Sequence, residues 1–393
     1  MTADPKTMSE GDRSTYIHFI DWLKQSWYGV PDADVVFPYI AARYTPEEAL
    51  LLTGFPYAPT ALADLAALKK MSSDALRPIL DSLTAKGLLN KQRKGDVFRY
   101  NLHDIFTIYR GFGWPGKTDD YSKTVGPLQH RYIMEGLMSP WRNAKEKGLR
   151  VLPIGVTIQD QRGVVPYEEV GRILDQVEYF TVSHCPCRHA NNLNPDAPDS
   201  PFPTDVCLHF DKLGHYIVEN GMGREITRQE TEAILKQCAD LGLIHGISNY
   251  QEKPDTICNC SSDCCIWFMA MKKYGHDGTL TPSNFRVSVN RSACTGCGLC
   301  VKRCLMEALH LEEDLAAKGR ETLVPGKDGK QRTLINQTGK ISQLAPERCI
   351  GCGVCAYKCP SGAITLERNP VEHAPPQTGR DWIMQFLTDT RTA

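Results

Sequence analysis

The 393 residues carry a formal charge of -1, with 41% hydrophobic and 23% charged residues and sixteen cysteines. That length exceeds one ordinary domain, and the near-neutral balance excludes a globally basic nucleic-acid-binding particle. Cysteine at roughly 4% lies below the roughly 8–10% of disulfide-stapled scaffolds, so the thiols call for another use.

The opening MTADPKTMSEGDRSTY lacks a basic segment running into an apolar one, and no window approaches the ~20 apolar residues of a membrane span. A cytoplasmic location is the expectation. In a reducing compartment, clustered cysteines serve more often as metal ligands or redox groups than as disulfides.

Along the chain, Ile17, Ile20, Leu23 and Trp27 recur at helical spacing and predict an amphipathic helix within a first segment, residues 1–44. Thr45, Pro46 and Glu48 then form a capping box with proline at the first helical position. Further helices are expected from Thr60 through Leu68 and from about Ser73 to Lys86, stopped by Gly87, before two strands in LLNKQ and VFRYNL. Three helices and a hairpin resemble a winged helix-turn-helix over residues 45–125. Lys86, Lys91, Arg93, Lys94 and Arg99 concentrate positive charge around the wing, while Asp74 and Asp81 dilute it on the preceding helix. Winged helices also dock proteins, so nucleic acid is not the expected partner.

Residues 126–284 read as a small α/β domain. VLPIGVTI is strand-like, PYEEVGRILDQV is an amphipathic helix, and EYFTVSH is a strand running into Cys185. Asn191 to Pro203 is a loop, and helices are expected over Asp205 to Asn220 and, after a capping box at Thr227 to Glu230, over Arg228 to Asp240.

Residues 285–368 contain an internal repeat. RSACTGCGLCVKRCLMEALHLEE and PERCIGCGVCAYKCPSGAITLER align without a gap, matching four cysteines and two glycines. Between the copies, residues 312–340 are polar, with turn signals at Pro325-Gly326 and Asp328-Gly329, and read as an inserted surface excursion open to a partner. A tail helix is expected within 369–393.

Cys294, Cys297, Cys300 and Cys304 follow C-x-x-C-x-x-C-x-x-x-C, and Cys349, Cys352, Cys355 and Cys359 repeat it. Three thiolates two residues apart wrap one face of a 4Fe-4S cubane, and Gly296, Gly298, Gly351 and Gly353 let backbone approach the sulfides. The fourth, past a short turn, reaches the other cluster. One cluster is thereby assigned to Cys294, Cys297, Cys300 and Cys359, the other to Cys349, Cys352, Cys355 and Cys304. Two zinc sites would leave the third cysteine of each run without a purpose. With each cluster adding about -2, the charge becomes about -5.

Eight cysteines remain. Cys238, on an apolar helical face, reads as core. Cys185 and Cys187 in HCPCRH, Cys207 at the start of an expected helix, and Cys258, Cys260, Cys264 and Cys265 in CNCSSDCC are candidate ligands of at least one additional iron–sulfur centre between the front and the repeat domain. Zinc or unligated thiols are the alternatives. His184, His189 and His209 flank these thiols as ligands or hydrogen-bond donors.

Residues Phe285 to Arg368 resemble the two-cluster bacterial ferredoxins, with Leu305 standing where that family has the proline seen here as Pro360. From Thr45 to Arg368 the order of winged-helix-like front, CPCR, lone cysteine, CNC and CC, then twin quartets is similar to anaerobe 4Fe-4S dicluster-domain proteins. The resemblance implies a multidomain α+β chain: winged-helix-like N-terminal region, cysteine-rich α/β middle domain, and C-terminal two-cluster bacterial ferredoxin fold. It also implies a non-catalytic or accessory subunit passing low-potential electrons to or from a partner oxidoreductase in anaerobic metabolism. An iron–sulfur redox sensor that binds DNA, and a reductase using the irregular cysteines, are the competing readings. No G-x-G-x-x-G lies between strand and helix and no P-loop is present, so neither nicotinamide nor flavin is signalled.

Overall fold

The computed structural model describes residues 8–142, 144–162, 164–273, 279–326 and 328–391. The leader reading on residues 1–7 lies outside the described residues. The chain divides into two compact units, each built from separated segments: Met1–Ala144 with Tyr179–Thr227 and Leu387–Ala393, and Lys145–Glu178 with Arg228–Phe386. Residues 126–284 are thus shared between the units. Among the described residues, no helix is long and apolar enough to cross a membrane.

In the first unit the helix Glu10–Leu23 starts where Ser9 accepts the Asp12 N–H, and it buries Tyr16, Phe19, Ile20 and Leu23. Its buried face is offset from the expected one: Ile17 is 45% exposed, because the aromatics Tyr16 and Phe19 carry more apolar area inward. The Thr45 capping box forms as expected and opens the helix Pro46–Leu52. Thr60–Ala61, expected as helix, is instead a short strand paired with Tyr100 and Arg99, so the next helix runs Leu62–Lys69. After the helix Ser73–Ala85, the strands Leu89–Lys94 and Val97–Leu102 complete a three-stranded antiparallel sheet. Gly87 turns the chain with φ +71°, and a Cβ there would strike the Gly111 backbone.

The remainder of this unit sets the strand Phe180–His184 between Asp205–Phe210 and Arg224–Ile226, all antiparallel. Helices Pro186–Asn192 and Asp211–Glu219 connect them. This corrects the expectation for Cys207. It lies within a strand opposite Ser183, not at a helix start. Val206 through Phe210 are buried throughout, and a short apolar run buried on both faces has no period to separate strand from helix.

In the second unit, Leu149–Val151, Ile244–Ser248 and Thr256–Cys260 pair antiparallel, and Leu280–Thr281 adds in parallel to the first. Of VLPIGVTI only Val151, the last residue of the strand Leu149–Val151, is strand, and the chain then turns through Gly155–Thr157; PYEEVGRILDQV breaks into Pro166–Glu168 and Val170–Leu174. The helix Arg228–Leu241 buries Cys238 at 0% exposure, as expected of a core cysteine.

The repeat folds as two interlocked halves in this unit. Strand Phe285–Val289, just before the first copy, pairs with Ile364–Arg368 at the end of the second, and Leu309–Glu313 at the end of the first pairs with Lys340–Leu344 just before the second. Helices Leu299–Arg303 and Val354–Tyr357 follow the cysteine loops. The insertion is only partly a surface excursion. The hairpin Glu321–Pro325/Gln331–Ile335 is largely exposed, whereas Ala317 and Asn336 are fully buried, the one packed with Cys294 and the other bonded to its carbonyl. The tail helix spans Gly379–Arg391.

Candidate metal centre

The two cysteine loops are bent by glycines in the left-handed region. Gly296 has φ +65° and Gly351 φ +68°, and a Cβ on either would run into the Lys340 and Phe285 carbonyl oxygens. Only glycine tolerates that conformation and that approach. The loops end on short helices whose first residues follow Gly298 and Gly353.

One small cavity is lined by Cys294, Cys297, Cys300 and Cys359, three thiols of the first run and the last of the second. Cys304 instead lies among the second run: it acts electrostatically on Cys349, Cys352 and Cys355. Backbone and hydroxyl donors surround the sulfurs. The Ser342 N–H donates to Cys294 Sγ at 3.4 Å, Ser342 Oγ lies 3.3 Å from Cys300 Sγ, and the Ala308 N–H donates to Cys304 Sγ at 3.2 Å. Such donors stabilise thiolate charge.

Burial acts the other way. It raises the thiols of Cys300 and Cys349, pushes Cys352 up to about 12, and holds Cys355 well above its ordinary range. Thiols gathered in apolar surroundings stay protonated unless a cation lies among them. Four sulfurs per set, glycine-cleared backbone and amide donors aimed at sulfur therefore fit an iron–sulfur cluster, whose ferric and ferrous charge supplies that cation.

Sequence spacing alone missed the supports of the first loop. Asn336, 0% exposed, donates from Nδ2 to the Cys294 carbonyl at 3.1 Å and to that of Lys340 at 2.8 Å. Arg303 ties the repeat to its own unit: Nε donates to Val354 O at 3.1 Å, Nη1 and Nη2 to Asp240 O and Ala239 O at 3.1 and 2.8 Å. Those last two carbonyls close the Arg228–Leu241 helix, where a cation complements the dipole. Lys358 pairs with Asp240 beside them.

The irregular cysteines fall in both units. In the first, the Cys185 and Cys187 thiols hydrogen-bond, which with burial raises Cys185 well above the ordinary range. Cys207 lies in the same unit on its strand. In the second, Cys260 hydrogen-bonds Cys258 and Cys265, and those contacts together with burial raise its pKa strongly. Cys264 Sγ lies 3.5 Å from Ser261 Oγ.

The histidines are engaged locally. His184 Nδ1 meets Asp205 Oδ1 at 2.6 Å, and His209 faces Ser183 Oγ at 2.9 Å with its pKa held far down by burial. Burial likewise lowers His189 to about 4. His245, which sequence reading passed over, sits opposite Asn259 on the strand bearing Cys258 and Cys260, and its Nδ1 lies 2.7 Å from Asn259 Oδ1.

Residues 293–363 match the family model of the 4Fe-4S dicluster domain. The chain is 35% identical over 96 residues to Ferredoxin-3 of Nostoc sp., covering 24% of this chain and 88% of that protein. It is 33% identical over 82 residues to Ferredoxin-3 of Rhodobacter capsulatus, covering 21% and 79% respectively. No solved structure matches the chain.

Proposed function

The chain belongs to the ferredoxin family through its 4Fe-4S dicluster domain and is an iron–sulfur electron-transfer protein; from that premise we propose that it is an accessory subunit passing low-potential electrons to or from a partner oxidoreductase in anaerobic metabolism. Bound clusters supply one-electron transfer without proton chemistry at the protein. One is held by Cys294, Cys297, Cys300 and Cys359, the other by Cys349, Cys352, Cys355 and Cys304. The cavity lined by the first of these sets, drawn from both halves of the repeat, carries the assignment. The chain's own part is to orient the sulfurs through the glycine turns, donate hydrogen bonds to them, and exclude water around Cys300 and Cys355, both buried. Anaerobically reconstituted protein should contain at least about eight iron atoms and give the spectrum of interacting reduced 4Fe-4S centres. A preparation that takes up zinc alone overturns the reading.

The irregular thiols hold at least one further iron–sulfur centre. The hydrogen-bonded group of Cys258, Cys260 and Cys265 favours this reading. Iron above about eight atoms, falling in Cys260→Ser, tests it.

The winged-helix-like region docks a protein. Three of its five wing cations are already ion-paired: Lys86 to Glu48 at 2.5 Å, Lys91 to Asp81 at 2.8 Å and Arg93 to Asp96 at 3.0 Å. Phosphate would have to displace those carboxylates. A salt-sensitive, sequence-selective shift of promoter DNA by the anaerobic protein would count against docking.

A further inference from the structure

The repeat supplies its own control, because its two cysteine loops share a pattern but not their surroundings. Thr295 aligns with Ile350, Cys297 with Cys352, Gly298 with Gly353 and Leu299 with Val354. In each pair the second-loop residue is the more enclosed: Cys297 is exposed and Cys352 half-buried, and Leu299 is 36% exposed against 1% for Val354.

A roof from the same unit accounts for the difference. The Ile154 N–H donates to Cys352 O at 3.1 Å, and a Cβ on Gly353 would lie 2.5 Å from Thr157 Oγ1. Ser283 donates through its N–H to Ile350 O at 3.1 Å and through its hydroxyl to Gly351 O at 2.8 Å. Ile154, Thr157 and Ser283 are themselves buried. Beside the half-buried Cys349, Arg348 Nη1 donates to Glu307 O at 3.3 Å and ties down the start of the loop. The first loop is held by its backbone instead: Asn336 bonds Cys294 O and Thr338 Oγ1 donates to Gly296 O at 3.3 Å, which leaves the Cys297 side chain exposed. Leu315, 77% exposed, borders it, since a Cβ on Gly339, next to Thr338, would lie 3.7 Å from Leu315 Cδ2.

We propose that electrons pass between this chain and its redox partner at the first-run cluster, across the Cys297 loop, and that the second-run cluster is the inner one. One electron leaves the reduced first-run cluster for a one-electron acceptor of the partner, and one from the second-run cluster replaces it; uptake reverses the order. Transfer weakens steeply with every ångström of protein between donor and acceptor, so the roofed loop is the poorer exit. This inference rests on the two-cluster reading above.

Two measurements on full-length, anaerobically reconstituted protein test it. With the clusters oxidised, the redox-inert hexaamminechromium(III) ion should broaden the shifted NMR signals of the Cys297 β-protons more than those of Cys349, Cys352 and Cys355. In stopped flow at low ionic strength, tris(oxalato)cobaltate(III) serves as acceptor for the reduced protein. Leu315→Lys places a positive charge beside the first loop and should speed reaction with this anion ~3-fold, an effect that fades in salt. Val156→Lys places the same charge at an 80% exposed position next to Thr157, on the roof, and should leave the rate unchanged. The proposal is overturned if the second-run protons broaden as much, if Val156→Lys matches or exceeds Leu315→Lys, or if neither variant moves the rate. Iron analysis separates the two failures: about eight irons with any of these results leaves the clusters standing and removes the exit, whereas a protein that takes up no iron removes both.

Discussion

Asn336→Ala isolates the support of one cysteine loop without touching a sulfur. The side chain is fully buried; it donates to Cys294 O at 3.1 Å and Lys340 O at 2.8 Å, and its Oδ1 accepts the Gly339 N–H at 3.0 Å. Alanine removes one partner from each of those three main-chain groups. At ~1 kcal/mol apiece the loop loses about 3 kcal/mol. Since ~1.4 kcal/mol is a factor of ten, iron held by this loop should leave about a hundredfold faster. The assay is bleaching of the anaerobic protein by an iron chelator, followed in the visible. Wild type should bleach slowly, and the variant should gain one fast phase while the remaining absorbance keeps its original rate. Asn336→Asp, which retains the acceptor and loses both donated bonds, should fall between them. If every phase accelerates equally, or none does, the loop is not what Asn336 supports and the reasoning fails.

Exchange of the fourth cysteine gives a second test: Cys359→Ala should remove the signal of the first-run cluster and Cys304→Ala that of the second, each with a loss of about four irons, and the reverse pattern would show that each run closes on itself. Ser342→Ala deletes the hydroxyl 3.3 Å from Cys300 Sγ; a lost bond of ~1 kcal/mol corresponds to about 40 mV, so one cluster potential should become more negative by that amount in redox titration, and an unmoved potential refutes the contact. His245, 4% exposed, has its pKa lowered by burial from 6.5 to about 4. Between those values the unfolded chain binds the proton and the folded chain does not, so stability should fall as pH drops through that window, by up to ~3 kcal/mol, and level off below it. His245→Gln should flatten the dependence of the denaturation midpoint on pH by about one proton, and an unchanged slope removes His245 as its source.

The repeat was legible because its ligands are spaced by what a short loop can wrap, a local constraint written in neighbouring letters. Its supports were not. Asn336 reaches Cys294 across 42 residues, from a stretch whose polarity reads as surface. The first capping box was equally legible: Thr45 and Glu48 bond as their spacing requires. The strand through Cys207 was missed because both of its faces are covered, which erases the alternation that marks a strand. The two-residue strand Thr60–Ala61 exists only because Val97–Leu102 offers it an edge, a fact of tertiary pairing.

Phe285 and Arg368 sit opposite each other in register, and the Asn369 N–H donates to Asn284 O at 2.9 Å just beyond them. The chain therefore enters and leaves the repeat side by side, about 5 Å apart, the width of one strand pair. So narrow a mouth would let the gap be closed by a few residues, yet Arg303 on the Ala239 and Asp240 carbonyls and Ile158 packed among Cys300, Cys355 and Leu366 weld the repeat to the rest of its unit, so cutting it out would uncover both.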